Sequence, residues 1–347
     1  MLYYYYSKLN NMGNVLITGG LGYIGSHTAV NLSENGYTPL SVDDLSNGHK
    51  LIGDGVSSII NGEYVNHNFD LKNRELTDKL FEEEDIDSVI HFAAFKSVGD
   101  SVKNPIGYYR NNIDSLLNVL EASINNGVKT FVFSSSCSVY GNPDELPVDE
   151  NTPIKPGESP YAKTKQMCEE ICLDVAKSNP DINIIILRYF NPVGAHESAL
   201  IGDLQIKPQN IVPIITRNAI NKTDNLTVHG SDYPTRDGTC IRDYIHVMDI
   251  ANAHTKAINF KGESNYNIFN LGTGKGVTVM ELINTFEEVT NQKLNYKMGP
   301  RRPGDVVAVY SNSDKAFKEL KWSLNYGVDD MMRTAWLWET KTQKNLD

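Results

Sequence analysis

At 347 residues the chain is long enough for one large α/β domain and a smaller lobe, and 40% hydrophobic with 22% charged residues is ordinary for a soluble globular protein. A net charge of -11 disfavours nonspecific nucleic-acid binding, while leaving room for local cationic pockets toward phosphorylated small molecules. No apolar run approaches the roughly 20 residues that span a bilayer, so neither nucleic acid nor membrane is an expected partner.

Residues 1–13 carry four consecutive tyrosines, Tyr3–Tyr6, without a basic or apolar leader pattern, and read as a disordered extension with Met12 as an alternative start. The apolar run Asn14–Thr18 predicts a buried strand. It breaks into Gly19, Gly22 and Gly25, and a helix-like segment opens at Tyr23 and Ile24. That pattern leaves backbone N–H groups and a helix N-terminus facing an anionic pyrophosphate. Gly19 makes the tight turn, Gly22 admits the phosphates and Gly25 lets helix and strand pack closely. The next strand, Thr38–Asp43, ends on a carboxylate at about the 20-residue distance at which an acid meets the adenosine ribose. Asp43 and Asp44 would repel a 2′-phosphate and no arginine stands beside them, so NAD is favoured over NADP.

The alternation continues. A weak strand at Tyr64–Asn66, helix Arg74–Glu84, strand Ser88–Phe92, helix Ile106–Asn126, strand Thr130–Ser134, helix Tyr161–Ser178 and strand Ile182–Arg188 follow in order. Apolar strands separated by helices predict a parallel sheet covered on both faces, a doubly wound Rossmann fold of the α/β class, with ligands at the carboxyl ends of its strands. Beyond residue 190, short strands, prolines and polar turns dominate, and helix Val279–Thr290 stands alone. We therefore expect an NAD-binding domain over 14–190 and a mainly substrate-binding lobe over 191–347, with some segments returning to the Rossmann sheet. The four cysteines, Cys137, Cys168, Cys172 and Cys240, form no Cys-x-x-Cys pair and suit reduced thiols in the cytoplasm. The eight histidines lack metal-ligand spacing, so no metal is expected, and His246 reads as a structural hydrogen-bonder.

The catalytic candidate is Tyr161-Ala162-Lys163-Thr164-Lys165. Tyr161 and Lys165 lie one helical turn apart and project from one face. A phenol ionises near about 10, so acting as a base at neutral pH asks for roughly 4 kcal/mol of differential stabilisation. A lysine ammonium and a positive nicotinamide ring are expected to supply it, which suits removal of an alcohol proton as hydride leaves the same carbon. The spacing alone is weak, since Tyr4 and Lys8 satisfy it too. What singles out Tyr161 is its place after a strand ending in Ser134-Ser135-Ser136, where Ser136 can donate to a substrate oxygen. Alternatively, Ser136 simply satisfies the strand-end backbone.

Thr18–His27, Ser134–Gly141 and Tyr161-x-x-x-Lys165 together resemble the extended short-chain dehydrogenase/reductases. Leu187–His196, Arg242–Asp249 and Arg301–Asp305 narrow the resemblance, over nearly the whole chain, to the UDP-glucose 4-epimerase family. The resemblance implies that Tyr161 deprotonates the sugar 4-hydroxyl while hydride passes from C4 to tightly bound NAD. The 4-keto sugar then turns its other face and the hydride returns, interconverting UDP-glucose and UDP-galactose with no net redox. It assigns Ser136 to the sugar oxygen and Lys165 to the nicotinamide ribose. It gives Lys96 to the charge near the cofactor, Asp70 to adenine and Asn111 to the nicotinamide side. Asn191, Asn210, Arg242 and Arg302 fall to the UDP moiety and Asp305 to the uridine ribose. Paired guanidiniums suit a diphosphate through bidentate contacts. Val309 stands where some members carry a bulky tyrosine; its smaller volume predicts room for a 2-acetamido group, so UDP-GlcNAc and UDP-GalNAc are expected substrates too, unless Tyr310 fills the space.

Another nucleotide-sugar epimerase or a 4,6-dehydratase is the nearest rival. A dehydratase needs an acid and a base after the catalytic hydroxyl residue, where this chain has Cys137 and Ser138. An NAD-binding redox sensor would usually lack Tyr161 or Lys165. The family also implies a homodimer through helices Ile106–Asn126 and Tyr161–Ser178.

Overall fold

The chain begins with β1 (Asn14–Thr18), α1 (Tyr23–Glu34), β2 (Thr38–Val42), α2 (Lys50–Ile60), β3 (Asn66–His67), α3 (Arg74–Glu83) and β4 (Ser88–His91). Helices α4 (Val98–Lys103) and α5 (Pro105–Tyr109) lead through a widened π turn, Arg110–Asp114, into α6 (Ser115–Asn125). Next come β5 (Thr130–Ser136), a 3-10 turn (Cys137–Tyr140), α7 (Pro160–Ser178), β6 (Asn183–Tyr189) and β7 (Asn191–Val193). Then follow α8 (Ile211–Asn221), β8 (Leu226–His229), β9 (Ile241–His246), α9 (Val247–Ile258) and β10 (Tyr266–Leu271). The last elements are β11 (Gly276–Thr278), α10 (Val279–Thr290), β12 (Tyr296–Gly299), β13 (Ala308–Val309), α11 (Asp314–Glu319) and α12 (Val328–Leu346). The structure, a computed structural model, describes residues 12–204, 208, 210–221, 226–302 and 306–346; the expected disordered extension lies almost wholly outside the described residues.

Seven strands form one sheet in the order β3-β2-β1-β4-β5-β6-β10, and all of its pairings are parallel. Both faces are covered, which the side-chain alternation explains. Val15 and Ile17 pack with Val30 of α1, Ile52 of α2 and Ile250 of α9, whereas Leu16 packs on the other face with Phe81 of α3, Leu116 of α6 and Cys172 of α7. This is the doubly wound Rossmann arrangement. Its strand order reverses between β1 and β4, so the crevice for a ligand opens at their carboxyl ends.

In the later part of the chain, β9 organises a smaller sheet. It pairs with β7 through Tyr244–His246, with β13 through Ile241–Arg242 and, antiparallel, with β11. β8 and β12 form a separate parallel pair. A second apolar core, with Ile215 of α8, Phe286 of α10 and Met332 of α12, fills the space behind them. Tyr266–Leu271 leaves this region to pair with β6.

The structure corrects several boundaries. The expected single helix over Ile106–Asn126 is α5, a π turn and α6. The buried Asn112 explains the interruption: its side chain accepts from Phe95 N at 2.8 Å and donates to Phe95 O and Thr164 Oγ1. An extra residue in the turn aims it at both partners. Helix α2 was not expected, β5 runs two residues farther to Ser136, and the weak strand lies at Asn66–His67. His246 caps α9, its Nδ1 accepting from Met248 N at 3.1 Å. Among the described residues, no helix is long and apolar enough to cross a membrane.

Candidate active site

The loop after β1 is shaped by what its glycines cannot carry. Gly19 has φ +71, and a Cβ there would lie 3.1 Å from Ala93 N. A Cβ on Gly25 would meet Gly19 O at 2.4 Å, an encounter of backbone with backbone that cannot relax cheaply. Gly22 is the N-cap of α1, with no side chain satisfying the helix N–H groups and no acid in the first turn. The amides opening α1, including those of Tyr23 and Ile24, thus keep a positive end facing the crevice. The Tyr23 side chain points elsewhere, its hydroxyl donating to Gly194 O at 2.6 Å and tying α1 to the loop after β7.

Asp43 stands at the end of β2, buried, with Oδ2 accepting from Leu21 N at 3.1 Å and Oδ1 from Leu45 N at 2.9 Å. Burial raises its pKa, and the two backbone donors pull it partly back. The glycine cradle, the uncapped helix end and this carboxylate on the glycine loop fit a dinucleotide pyrophosphate and its adenosine ribose. Asp70 lies beyond β3, paired with Lys72 at 3.1 Å. Lys96 is exposed after β4, and Asn111 lies in the π turn, its Nδ2 donating to Asn112 Oδ1 at 3.1 Å.

Helix α7 is started by Ser159, whose Oγ accepts from Ala162 N at 3.2 Å, and by Pro160 in its first turn. That start puts Tyr161 at the mouth of the helix, above the end of β5. Burial and then Tyr189 raise the phenol's pKa, while its hydrogen bond with Ser136 lowers it. Ser136 Oγ also accepts from Ser138 N at 3.2 Å, so its orientation is fixed by the 3-10 turn. Lys165 is buried, donates to Ser134 O at 2.7 Å and lies 4.7 Å from the Phe133 ring centroid. Burial brings its pKa down to about 8, against the pull of Cys168, Glu169 and Cys172. The sequence reading expected Lys165 and a nicotinamide ring together to depress the phenol; in the protein alone, burial moves Tyr161 upward.

Asn191, Asn210, Arg242 and Arg302 wall one cavity of about 380 Å³. Arg242 is braced from behind, Nη1 donating to Ile241 O at 2.8 Å and Val306 O at 2.9 Å. Asn191 Nδ2 donates to Asp243 O at 3.1 Å across the β7–β9 pairing. Asn210 and Arg302 are exposed. Asp305 lies outside the described residues. Ser136, Tyr161 and Val309 are not walls of this cavity. Arg242 connects the two places: it pairs in register with Val309, and its charge acts on the Cys137 thiol beside Ser136. Val309 itself packs on Val139, Tyr140, Val148 and Phe190.

The sequence reading missed several residues here. Gly20 is as constrained as its neighbours, since a Cβ would meet Ser41 Oγ at 2.3 Å and the Tyr64 hydroxyl at 2.6 Å. Thr18 Oγ1 pairs with His91 Nδ1 at 2.9 Å and accepts from Ala93 N at 3.2 Å, locking the crevice between β1 and β4. Tyr189 shares a 2.5 Å hydrogen bond with Ser134 Oγ, and His229 lines the cavity with Arg302. A glycine doublet and a strand-end threonine were available signals for the first two, and Tyr189 lies inside the Leu187–His196 motif; nothing local marked His229.

Residues 16–335 match a family model described as GDP-mannose 4,6 dehydratase. UDP-glucose 4-epimerase 2 of Arabidopsis thaliana is 44% identical over 331 residues, covering 94% of each chain. A Stenotrophomonas maltophila UDP-glucose 4-epimerase, crystallised with NAD and formylated UDP-arabinopyranose, superposes with a TM-score of 0.93 at 41% identity, covering 96% of this chain and 99% of that one. The Bifidobacterium longum UDP-glucose 4-epimerase, crystallised with NAD+ and UDP, gives a TM-score of 0.90 at 41% identity, covering 95% and 99%. With that identity sustained along nearly its full length, the chain belongs to the UDP-glucose 4-epimerase family.

Proposed function

We propose that the chain is an isomerase interconverting UDP-glucose and UDP-galactose at sugar C4 with retained NAD. One observation carries the reading: Tyr161 and Lys165 meet Ser134–Ser136 at the carboxyl end of β5, beside a glycine cradle and near a cavity bearing Arg242 and Arg302. Bound NAD supplies the acceptor and donor for the C4 hydrogen and its electron pair. Gly19, Gly22 and the amides of Tyr23 and Ile24 would hold its pyrophosphate, and Asp43 its ribose. Asp70, Lys96 and Asn111 are assigned to it through the family resemblance.

In this account Tyr161 Oη takes the proton of the sugar 4-hydroxyl and later returns it. Ser136 hydrogen bonds both the phenol and the sugar oxygen, fixing the proton's path. Lys165 has three N–H donors and one described partner, the Ser134 carbonyl; another donor is assigned to the cofactor ribose. Arg242 and Arg302 hold the diphosphate, with Asn191, Asn210 and Asp305 around the nucleotide. The anchored diphosphate leaves the sugar free to present either face.

The dehydratase reading is disfavoured by Cys137. Burial pushes its thiol up to about 12, so it is no base near neutral pH. For the wider substrate range, Tyr310 supports the open reading of Val309, because its ring lies 3.3 Å from where a Gly276 Cβ would be, toward β11. A homodimer is favoured by exposed Val102, Ile106, Leu117 and Met167 on helices α4 to α7, at 63%, 74%, 44% and 42% exposure. A cytoplasmic setting agrees with four free thiols among the described residues.

The test is purified protein with UDP-galactose and, separately, UDP-GalNAc, without added cofactor, products resolved by proton NMR. Conversion of both supports retained NAD and the open pocket. Conversion of UDP-galactose alone removes the pocket argument. No conversion of either, even with NAD supplied, favours the sensor or another nucleotide sugar.

A further inference from the structure

The contact between α7 and the end of β5 continues one helical turn past the Tyr161–Lys165 motif. Tyr161, Lys165 and Glu169 recur at four-residue spacing and share a face. Three consecutive serines receive them. Ser136 stands beside the Tyr161 phenol and lowers its pKa, the Ser134 carbonyl accepts from Lys165 at 2.7 Å, and Ser135 Oγ donates to Glu169 Oε1 at 2.5 Å.

Glu169 is gripped in turn by Arg188 of β6. Arg188 Nε lies 3.0 and 3.2 Å from the two carboxylate oxygens, and Nη2 donates to Oε2 at 2.6 Å. Its Nη1 donates to the Tyr140 hydroxyl at 3.1 Å, and that hydroxyl donates to Asn270 Oδ1 at 2.7 Å. The network therefore ties α7, β5, β6, β10 and the 3-10 turn together at one point.

The side chains of Arg188 and Glu169 are only 3% and 5% exposed. Ion pairs this deep rarely repay their desolvation, and apolar replacements of similar volume are often equally stable. Placement explains the pair better than stability does. Ser135 precedes Ser136 in the chain, and Tyr140 ends the turn that follows it. Through the Ser135 and Tyr140 side chains the pair holds the chain on both sides of Ser136, and it anchors α7 two turns below Tyr161.

We infer that Glu169 and Arg188 are positioning residues that set the register of α7 on β5, and with it the meeting of Ser136 and Tyr161. The inference rests on the epimerase reading above. Both residues lie beneath the site and act through Ser136 and Tyr161.

The test begins with wild-type conversion of UDP-galactose; without it the functional reading fails, and this inference with it. Given that activity, the paired substitution Glu169→Leu with Arg188→Met is expected to keep wild-type NAD content and thermal midpoint. Its kcat is expected to fall about tenfold to a hundredfold with KM within about threefold, the pattern of misplaced reacting groups. Glu169→Gln, which still accepts from Ser135, is expected to turn over faster than Glu169→Leu. If the paired variant does not fold, Tyr140→Phe removes only the hydroxyl between Arg188 and Asn270, and kcat should fall severalfold at unchanged KM. Wild-type kcat in the folded paired variant, or in Tyr140→Phe where the pair does not fold, overturns the inference.

Discussion

The Lys165 ammonium donates to the Ser134 carbonyl at 2.7 Å, two residues before the serine that meets Tyr161. A buried cation is thereby held at the base of the candidate site by a backbone group, at a cost in stability that function has to justify.

That cost has a sign that can be measured. Burial brings Lys165 down from 10.5 to about 8, so the native state releases its proton more readily than the unfolded chain. The penalty is fully present below pH 8 and fades as pH rises toward 10.5, where the unfolded chain deprotonates as well. Relative to Lys165→Met, wild-type protein should therefore gain about 2 kcal/mol between pH 7 and pH 10. Urea unfolding of both proteins, stripped of cofactor, at the two pH values measures it. Parallel pH dependences would mean that Lys165 is not the group responsible.

Tyr161→Phe removes the proton acceptor while leaving the ring packed on α7. Its kcat should fall about a hundredfold to ten-thousandfold, with KM for UDP-galactose and bound NAD little changed. Ser136→Ala should cost less, because water can replace one hydroxyl contact. Initial rates with UDP-galactose decide this, and a Tyr161→Phe variant with near-native kcat would remove Tyr161 from its role.

Substitution of the braced arginine separates binding from chemistry. Arg242→Ala should raise KM about tenfold to a hundredfold, the value of lost charge-assisted hydrogen bonds, with smaller effect on kcat. Arg242→Lys should restore only part of that affinity, since a lysine cannot present two parallel donors. Equal loss of kcat and no change in KM would place the diphosphate elsewhere.

Val309 is the specificity handle. Val309→Tyr is expected to cut kcat/KM for UDP-GalNAc by about a hundredfold relative to that for UDP-galactose. Competing rates of the two sugars on one enzyme preparation measure the ratio, and an unchanged ratio would show that the acetamido group does not approach this position.

Much of this site was legible because its signals are local. The glycine loop, the Asp43 that ends β2 and the Tyr161–Lys165 spacing each sit within one strand–loop–helix unit. Helix α2 was hidden by two glycines and a Ser-Ser pair that weaken helix propensity. Its Gly55 has a reason only tertiary structure reveals, as a Cβ would lie 2.2 Å from Leu200 O. The π turn adds one residue to an otherwise regular helical pattern and leaves no periodic trace. The Glu169–Arg188 pair joins a helix to the strand after it through burial that no spacing reports, and the cavity around Arg242 joins residues far apart in the chain.

In the proposed reaction C4 is oxidised and reduced within one site, with its hydrogen returning to the same carbon. UDP-galactose deuterated at C4, incubated with purified protein in ordinary water without added cofactor, tests it most directly. The account predicts UDP-glucose with the deuterium still at C4. Loss of the label to solvent, or a 4-keto-6-deoxy product, would contradict it.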